Sequence, residues 1–132
     1  MNIKEIFFTK YPKQYGILLG LKEKFILPFK KILFSLGFNV FFGNKEQDKW
    51  VVEEVFNFKK NGFFVDLAAT DGIHENNTFF LEKRLNWKGI CIEPNTLFFK
   101  NLIKNRNTIC VNKAISSNKK KISFFFNGGI GG

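Results

Sequence analysis

Apolar and polar positions follow two different patterns along the chain, and each pattern predicts a type of secondary structure. Residues 46–60 carry apolar side chains at intervals of three and four, which predicts an amphipathic helix that ends before Asn61 and Gly62. The predicted buried face consists of Trp50, Val51, Val55 and Phe58. Residues 63–69 are apolar almost throughout, which predicts a strand buried on both faces.

The same pattern continues to the end of the chain. A helix is predicted over 77–85, with Asn76 or Asn77 as its N-cap, and a strand over 89–93. A second helix begins after Asn95 or Thr96, ends near residue 105, and buries Phe98 and Leu102. Further strands are predicted over 108–114 and 121–126.

Strands that alternate with helices imply right-handed crossovers and a parallel sheet. The sequence therefore predicts an α/β fold, a Rossmann-like parallel sheet with flanking helices, apparently truncated after its first half. In such a half-sheet the first strand lies near an unpaired edge.

Residues 1–45 differ from residues 46–132 and are predicted to be a separate basic, aromatic-rich helical extension. Residues 21–36 predict an amphipathic helix pair kinked near Pro28. Such a segment packs on a neighbouring domain or rests on a membrane surface, and we favour packing.

The 132 residues carry a formal net charge of +10, but the lysines are spread along the chain. A nucleic-acid footprint should be clustered, so we expect no nucleic-acid partner. A basic protein that binds nucleic acid or a membrane is therefore the weakest functional hypothesis for this sequence.

The two cysteines, Cys91 and Cys110, lie in apolar strand-like segments and form no CxxC pair. We expect buried, reduced thiols, no metal site and a cytoplasmic location. No secretory signal is evident at the N-terminus.

Asp66 lies toward the carboxyl end of the first predicted strand, and Glu93 ends the second. Neighbouring parallel strands bring such tips to one edge, where nucleosides bind. A dinucleotide turn requires glycines where this chain has Ala68, Thr70 and Ile73, and no phosphate-binding GxxxxGK[ST] loop occurs.

S-adenosylmethionine has no phosphate and fits this turn better. Small residues leave room for its methionine moiety, and a strand-two carboxylate accepts hydrogen bonds from the ribose hydroxyls. The first-strand acid orients the turn or meets the amino end, and amides opening the next helix take the carboxylate. Ala68, Ala69 and Gly72 are the small residues, and Glu93 is the strand-two carboxylate. Asp66 is the first-strand acid, and Asn77 and Thr78 open the next helix.

Several motifs occur together in a recognisable order and spacing. They are QDKW (47–50), GFFVDLAATDG (62–72), NT (77–78), WKGICIEPN (87–95), NR (105–106) and AIS (114–116). Over about residues 46–132 the chain resembles the FkbM-type methyltransferase family. The family usually has Gly where this chain has Ala68, and its later strands and acceptor-side residues are missing here.

The resemblance implies a methyltransferase that transfers a methyl group from S-adenosyl-L-methionine to a hydroxyl of a sugar or secondary metabolite. Its acceptor is then a small molecule or a glycan. Glu93 binds the ribose and Ala114 lies near the adenine. The implied cofactor-binding residues are Asp66, Ala68, Ala69, Asp71, Gly72, Asn77, Thr78, Glu93, Pro94, Ala114 and Ile115.

The catalytic residues are not identified by the sequence. His74 is the only histidine and is interpreted as incidental, so no general base is assigned. The alternative function is a catalytically inactive, truncated remnant that acts as a binding module.

Overall fold

A computed structural model of the protein describes residues 12–117, 126–127 and 130–131, with side chains over 24–117. The chain divides into two units, Met1–Val40 and Phe41–Gly132, a few residues before the boundary predicted from the sequence.

The first unit contains helix α1, Pro12–Ser35. The prediction of two helices is wrong, because α1 continues through Pro28 as one helix. The helix ends in a Schellman motif around Gly37, which has a φ of +98°. In this motif the Gly37 amide donates to the Phe34 carbonyl and the Phe38 amide donates to the Leu33 carbonyl.

The second unit opens with a short helical segment made of three different turns. A 3-10 turn, Asn44–Glu46, leads into α2, Gln47–Trp50, which continues as a π turn over Val51–Val55. The predicted helix over 46–60 therefore ends early, because Asn57 and Phe58 adopt positive φ values.

The predicted buried face of that helix is also wrong. Trp50, Val55 and Phe58 are exposed, whereas Asp48 and Val52 are fully buried. Asp48 and Val52 lie four positions apart and so share a helical face. Because Asp48 is polar, the apolar spacing did not indicate this face.

Three parallel strands form the sheet, in the order β1-β2-β3. They are β1, Phe63–Leu67; β2, Lys88–Ile92; and β3, Ile109–Val111. Helix α3, Phe79–Leu85, connects β1 to β2, and α4, Thr96–Asn105, connects β2 to β3. The alternating α/β order is confirmed, and β1 lies at an edge of the described sheet.

Some predicted element ends are wrong by a few residues. The third strand ends at Val111 rather than Ala114 because the ladder with β2 stops there. Helix α3 has Thr78 as its N-cap, whereas the Asn76 side chain instead accepts the Thr78 amide. Asn95 caps α4 as predicted, accepting the Leu97 amide.

Within the described residues of the second unit, only one face of the sheet is covered, so the prediction that β1 is buried on both faces is wrong. Phe64 and Cys91 are buried, while the alternate residues Phe63, Val65 and Leu67 are exposed. Two right-handed crossovers that step in the same direction place both helices on the same face. The other face is left apolar and accessible.

Aromatic side chains fill much of the core of the second unit. The ring of Phe41 stacks on Phe80, and Phe42 meets Phe79 edge to face. Trp87 packs edge to face on Phe56, and its indole nitrogen donates to the carbonyl of Lys59. Trp87 is 5% exposed and so forms part of this core.

The last described residues form a small antiparallel pair, β4, Phe126–Asn127, and β5, Ile130–Gly131. The strand predicted over 121–126 lies mostly outside the described residues. No described helix is both long enough and apolar enough to cross a membrane.

Candidate functional site

The two acidic strand tips lie on the same face at the carboxyl edge of the sheet. In the register of β1 and β2, Asp66 pairs with Cys91 and Leu67 pairs with Ile92. Glu93 follows two positions after Cys91, and side chains two positions apart share a face of a strand. Asp66 and Glu93 therefore both face the loop over residues 68–78, which we call the β1–α3 loop.

The β1–α3 loop begins with a tight turn at the edge of the sheet. The Ala69 amide continues the ladder by donating to the Ile92 carbonyl, and the Gly72 amide donates back to the Ala69 carbonyl. Ala68, Thr70 and Gly72 all have positive φ values, of 58°, 51° and 81°. This alternation folds the backbone sharply, and at Ala68 it places a methyl-bearing residue in a conformation that favours glycine.

Glu93 holds the middle of this turn. Its Oε2 atom accepts the Thr70 amide at 2.9 Å, and its Oε1 atom accepts the Asn95 amide at 2.7 Å. The residue is 4% exposed, which excludes a solvated strand end. Each carboxylate oxygen has a second lone pair and can accept one further hydrogen bond, as from a hydroxyl.

Asp66 holds the far end of the same loop. Its Oδ2 atom accepts from the Asn76 side-chain amide at 2.8 Å and from the Thr78 hydroxyl at 2.6 Å. Of the two roles considered for Asp66, orienting the turn is the one that these contacts serve.

Asp71 and Gly72 complete the turn. The Asp71 Oδ1 atom accepts the amides of Ile73 and His74 at 2.9 and 2.8 Å, an Asx-type arrangement. A Cβ atom on Gly72 would approach the Leu102 and Arg106 side chains to 2.8 and 2.7 Å. Glycine at 72 therefore lets the turn lie against the end of α4.

The other predicted site residues are more dispersed. The Asn77 side-chain nitrogen donates to Gln47 Oε1 at 3.0 Å rather than to Asp66. The Asn112 side chain, just after β3, donates to the carbonyls of Glu93 and Pro94. Farther along, Ala114 is half-buried and Ile115 is exposed, both beyond the end of β3.

Sequence reasoning missed the residue that connects most of this site, Arg106. Its side chain is fully buried at the end of α4. Its NH1 group donates to Asn76 Oδ1 at 2.9 Å and to the Gly72 carbonyl at 3.2 Å, and NH2 donates to the Thr78 hydroxyl at 2.9 Å. The NR motif at 105–106 was visible, but its partners lie about 30 positions away.

Glu82 of α3 neutralises Arg106. Its Oε2 atom lies 2.5 Å from the arginine Nε atom, and its Oε1 atom accepts the Asn107 amide at 2.8 Å. Burial works to raise the pKa of Glu82, but the hydrogen bonds from Asn107 and Arg106 outweigh it and lower the pKa below its ordinary value of 4.5. The carboxylate is therefore ionised at neutral pH.

Asp48, in the QDKW motif, is another buried acid. It is fully buried, its Oδ2 atom accepts the Phe42 amide at 2.6 Å, and its Oδ1 atom accepts the Lys49 amide at 2.9 Å. Asp48 thus fixes the segment that enters α2.

The two thiols lie on the covered face of the sheet and are unpaired with each other. Burial raises the pKa of Cys91 to about 12 and also raises the pKa of Cys110. Cys91 is therefore protonated at neutral pH. Within the described residues, no group of three histidine, cysteine, aspartate or glutamate side chains is placed to hold a metal ion.

A polar cavity of about 190 Å³ lies at the opposite, amino-terminal edge of the strands. Its walls include Lys88 at the start of β2 and Thr108 just before β3. It contains none of the predicted cofactor residues.

Comparisons with protein-family models, curated proteins and solved structures find no match to this chain.

Proposed function

We propose that the chain is an S-adenosylmethionine-dependent methyltransferase of the FkbM type and carries mainly the cofactor-binding half. The observation that carries the proposal is the buried Glu93 carboxylate beside a tight turn at the carboxyl edge of a parallel sheet.

The charge around the turn supports this cofactor over a phosphate-containing one. Asp66, Asp71 and Glu93 all lie in or against the β1–α3 loop. Three carboxylates repel a pyrophosphate, whereas the sulfonium and ammonium groups of S-adenosylmethionine are cationic. Glu93 is the acceptor for the ribose hydroxyls, because an ionised acceptor strengthens these hydrogen bonds.

Methyl transfer from a sulfonium is an in-line displacement in which the acceptor oxygen forms a bond to the methyl carbon as the carbon–sulfur bond breaks. The leaving thioether is neutral, so the main requirement is alignment of the three atoms. The acceptor hydroxyl belongs to a sugar or secondary metabolite, and its proton passes to a base that we do not assign to this chain. A reducing, cytoplasmic setting suits the two free thiols.

Calorimetric titration of the full chain with S-adenosylhomocysteine tests the proposal. Glu93→Gln keeps the size of the side chain but removes the charge, so we expect binding to weaken by about tenfold or more. Glu54→Gln removes an exposed charge from the π turn and should bind like the wild type.

Circular dichroism of both variants establishes that they remain folded. Failure of the folded wild-type protein to bind S-adenosylhomocysteine, or equal affinity for the wild type and Glu93→Gln, would exclude the assignment.

One observation favours the alternative function, an inactive domain that acts as a binding module. The exposed face of the sheet presents Phe63, Val65, Leu67 and Ile109 to solvent. Apolar patches of this kind mark interaction surfaces. A well-folded protein that binds no cofactor but binds another protein through this face would support the alternative.

A further inference from the structure

Helix α1 presents an exposed apolar stripe that the proposed methyl-transfer chemistry does not use. Phe25, Phe29, Ile32 and Leu36 are 71%, 60%, 57% and 68% exposed. Their spacing of four, three and four residues places them on one side of a helix. Leu36 belongs to the same stripe, because its amide still donates to the Ile32 carbonyl.

Basic residues lie on the other sides of this helix. Lys24 and Lys31 are exposed and lie seven positions apart, so they share a face. At 100° per residue, that face lies about 120° from the centre of the stripe on one side of the helix, and Lys30 lies about 130° from it on the other side. Residues 24–40 contain no acidic side chain.

From this juxtaposition we infer that α1 binds the surface of anionic phospholipid bilayers. The stripe of Phe25, Phe29, Ile32 and Leu36 enters the boundary between headgroups and acyl chains, and the helix lies parallel to the surface. A helix that exposes phenylalanine and leucine along one face, with lysines on both sides of that face, can bind a bilayer surface in this mode.

Charge complementarity selects this occupant over a second copy of the chain. The first 40 residues contain seven lysines and only two acidic residues, so two copies of this segment repel each other. A lipid surface that carries negative charge attracts each lysine near it. A nucleic acid would also attract the lysines, but it gives no role to an apolar stripe of four residues.

Co-sedimentation of the full chain with lipid vesicles tests the inference. We expect the protein to pellet with vesicles of equimolar phosphatidylcholine and phosphatidylserine, and to pellet far less with phosphatidylcholine alone. Raising the salt concentration should weaken the binding, because the lysine contribution is screened.

Matched double variants separate the two contributions. Phe25→Ala with Phe29→Ala keeps good helix formers and should weaken vesicle binding roughly tenfold or more. Lys24→Gln with Lys31→Gln should weaken binding to anionic vesicles by about tenfold and leave residual binding to neutral vesicles unchanged. Leu97→Ala with Ile103→Ala removes exposed apolar side chains from α4 and should bind vesicles like the wild type.

Circular dichroism confirms helix content in each variant, and S-adenosylhomocysteine binding should be equal in all of them. Retention of full vesicle binding by the phenylalanine variant, or equal binding of the wild type to neutral and anionic vesicles, overturns the inference. A wild-type protein that does not bind vesicles but self-associates also overturns the inference, and assigns the stripe to a second copy. One that does not bind vesicles but binds nucleic acid overturns it as well, and assigns the lysines to that partner.

Discussion

The backbone amide of Thr70 donates a 2.9 Å hydrogen bond to the carboxylate of Glu93, although 23 positions separate the two residues. This bond ties the turn after β1 to the tip of β2. Without a partner, the Glu93 carboxylate would be a buried charge, which is costly in a protein interior. The same residue that the proposed function assigns to the ribose therefore also positions the turn that receives the cofactor.

Ala68→Gly should stabilise the protein. Ala68 has a φ of +58°, in the left-handed region, where a side chain costs about 1–2 kcal/mol relative to glycine. Glycine also gains entropy in the unfolded chain, so the expected net gain is about 0.5–1 kcal/mol. Urea unfolding monitored by circular dichroism measures it.

The neighbouring substitution Ala69→Gly is the control. Ala69 is fully buried and is not among the residues with positive φ, so glycine there loses packing and should destabilise the protein. If both substitutions lower the urea midpoint by similar amounts, the left-handed conformation of Ala68 is refuted.

Arg106 and Glu82 should be strongly coupled in stability. Replacing either one alone leaves a buried charge without its partner, which we expect to cost about 3–5 kcal/mol. The double variant Arg106→Met with Glu82→Gln should cost clearly less than the sum of the single variants, by at least about 1 kcal/mol.

A double-mutant cycle by chemical unfolding measures this coupling. Lys104→Met, at an exposed position of α4, is the control and should leave stability within about 0.5 kcal/mol of the wild type. Additive effects of the two single substitutions would show that the pair does not act as a unit.

The sequence predicted those parts of the fold that depend on local signals. Strand β2 and helix α4 were placed within about one residue because Gly89, Pro94 and Asn95 mark element ends within a few positions. The edge position of β1 also followed from counting the strands. The site residues Asp66 and Glu93 were found because a carboxylate directly after an apolar segment is unusual.

The parts that the sequence did not predict depend on distant contacts. Exposure of Phe63, Val65 and Leu67 follows from the direction in which the crossovers step, and no local pattern encodes that direction. Arg106 serves the site through partners on two other segments of the chain, the β1–α3 loop and α3. The buried face at Asp48 was hidden because its polar side chain breaks the apolar period.

Glu82 should make stability depend on acidity. Its pKa is lowered in the folded protein, so it contributes stability above the unfolded value near 4.5 and loses that contribution as the pH falls through the folded value. We expect the free energy of unfolding of the wild type to fall more steeply below about pH 4.5 than that of Glu82→Gln.

Urea titrations at a series of acidic pH values compare the two proteins. Glu54→Gln, which alters an exposed carboxylate, should follow the wild-type curve. Parallel curves for the wild type and Glu82→Gln across this range would contradict the lowered pKa of Glu82.

Cys91 should be the slower of the two thiols to react with a thiol reagent such as DTNB. Cys91 is fully buried in the central strand, and burial raises its pKa to about 12, so at pH 8 it is protonated and inaccessible. Cys110 is only half-buried, although burial raises its pKa as well.

With Cys110→Ser, the native protein should react only as fast as it opens, and urea should accelerate the reaction strongly. With Cys91→Ser, the remaining thiol should react measurably in the native state. Rapid native labelling of the Cys110→Ser protein would show that the covered face of the sheet is open, and would remove the basis for placing Asp66 and Glu93 against the same packed loop.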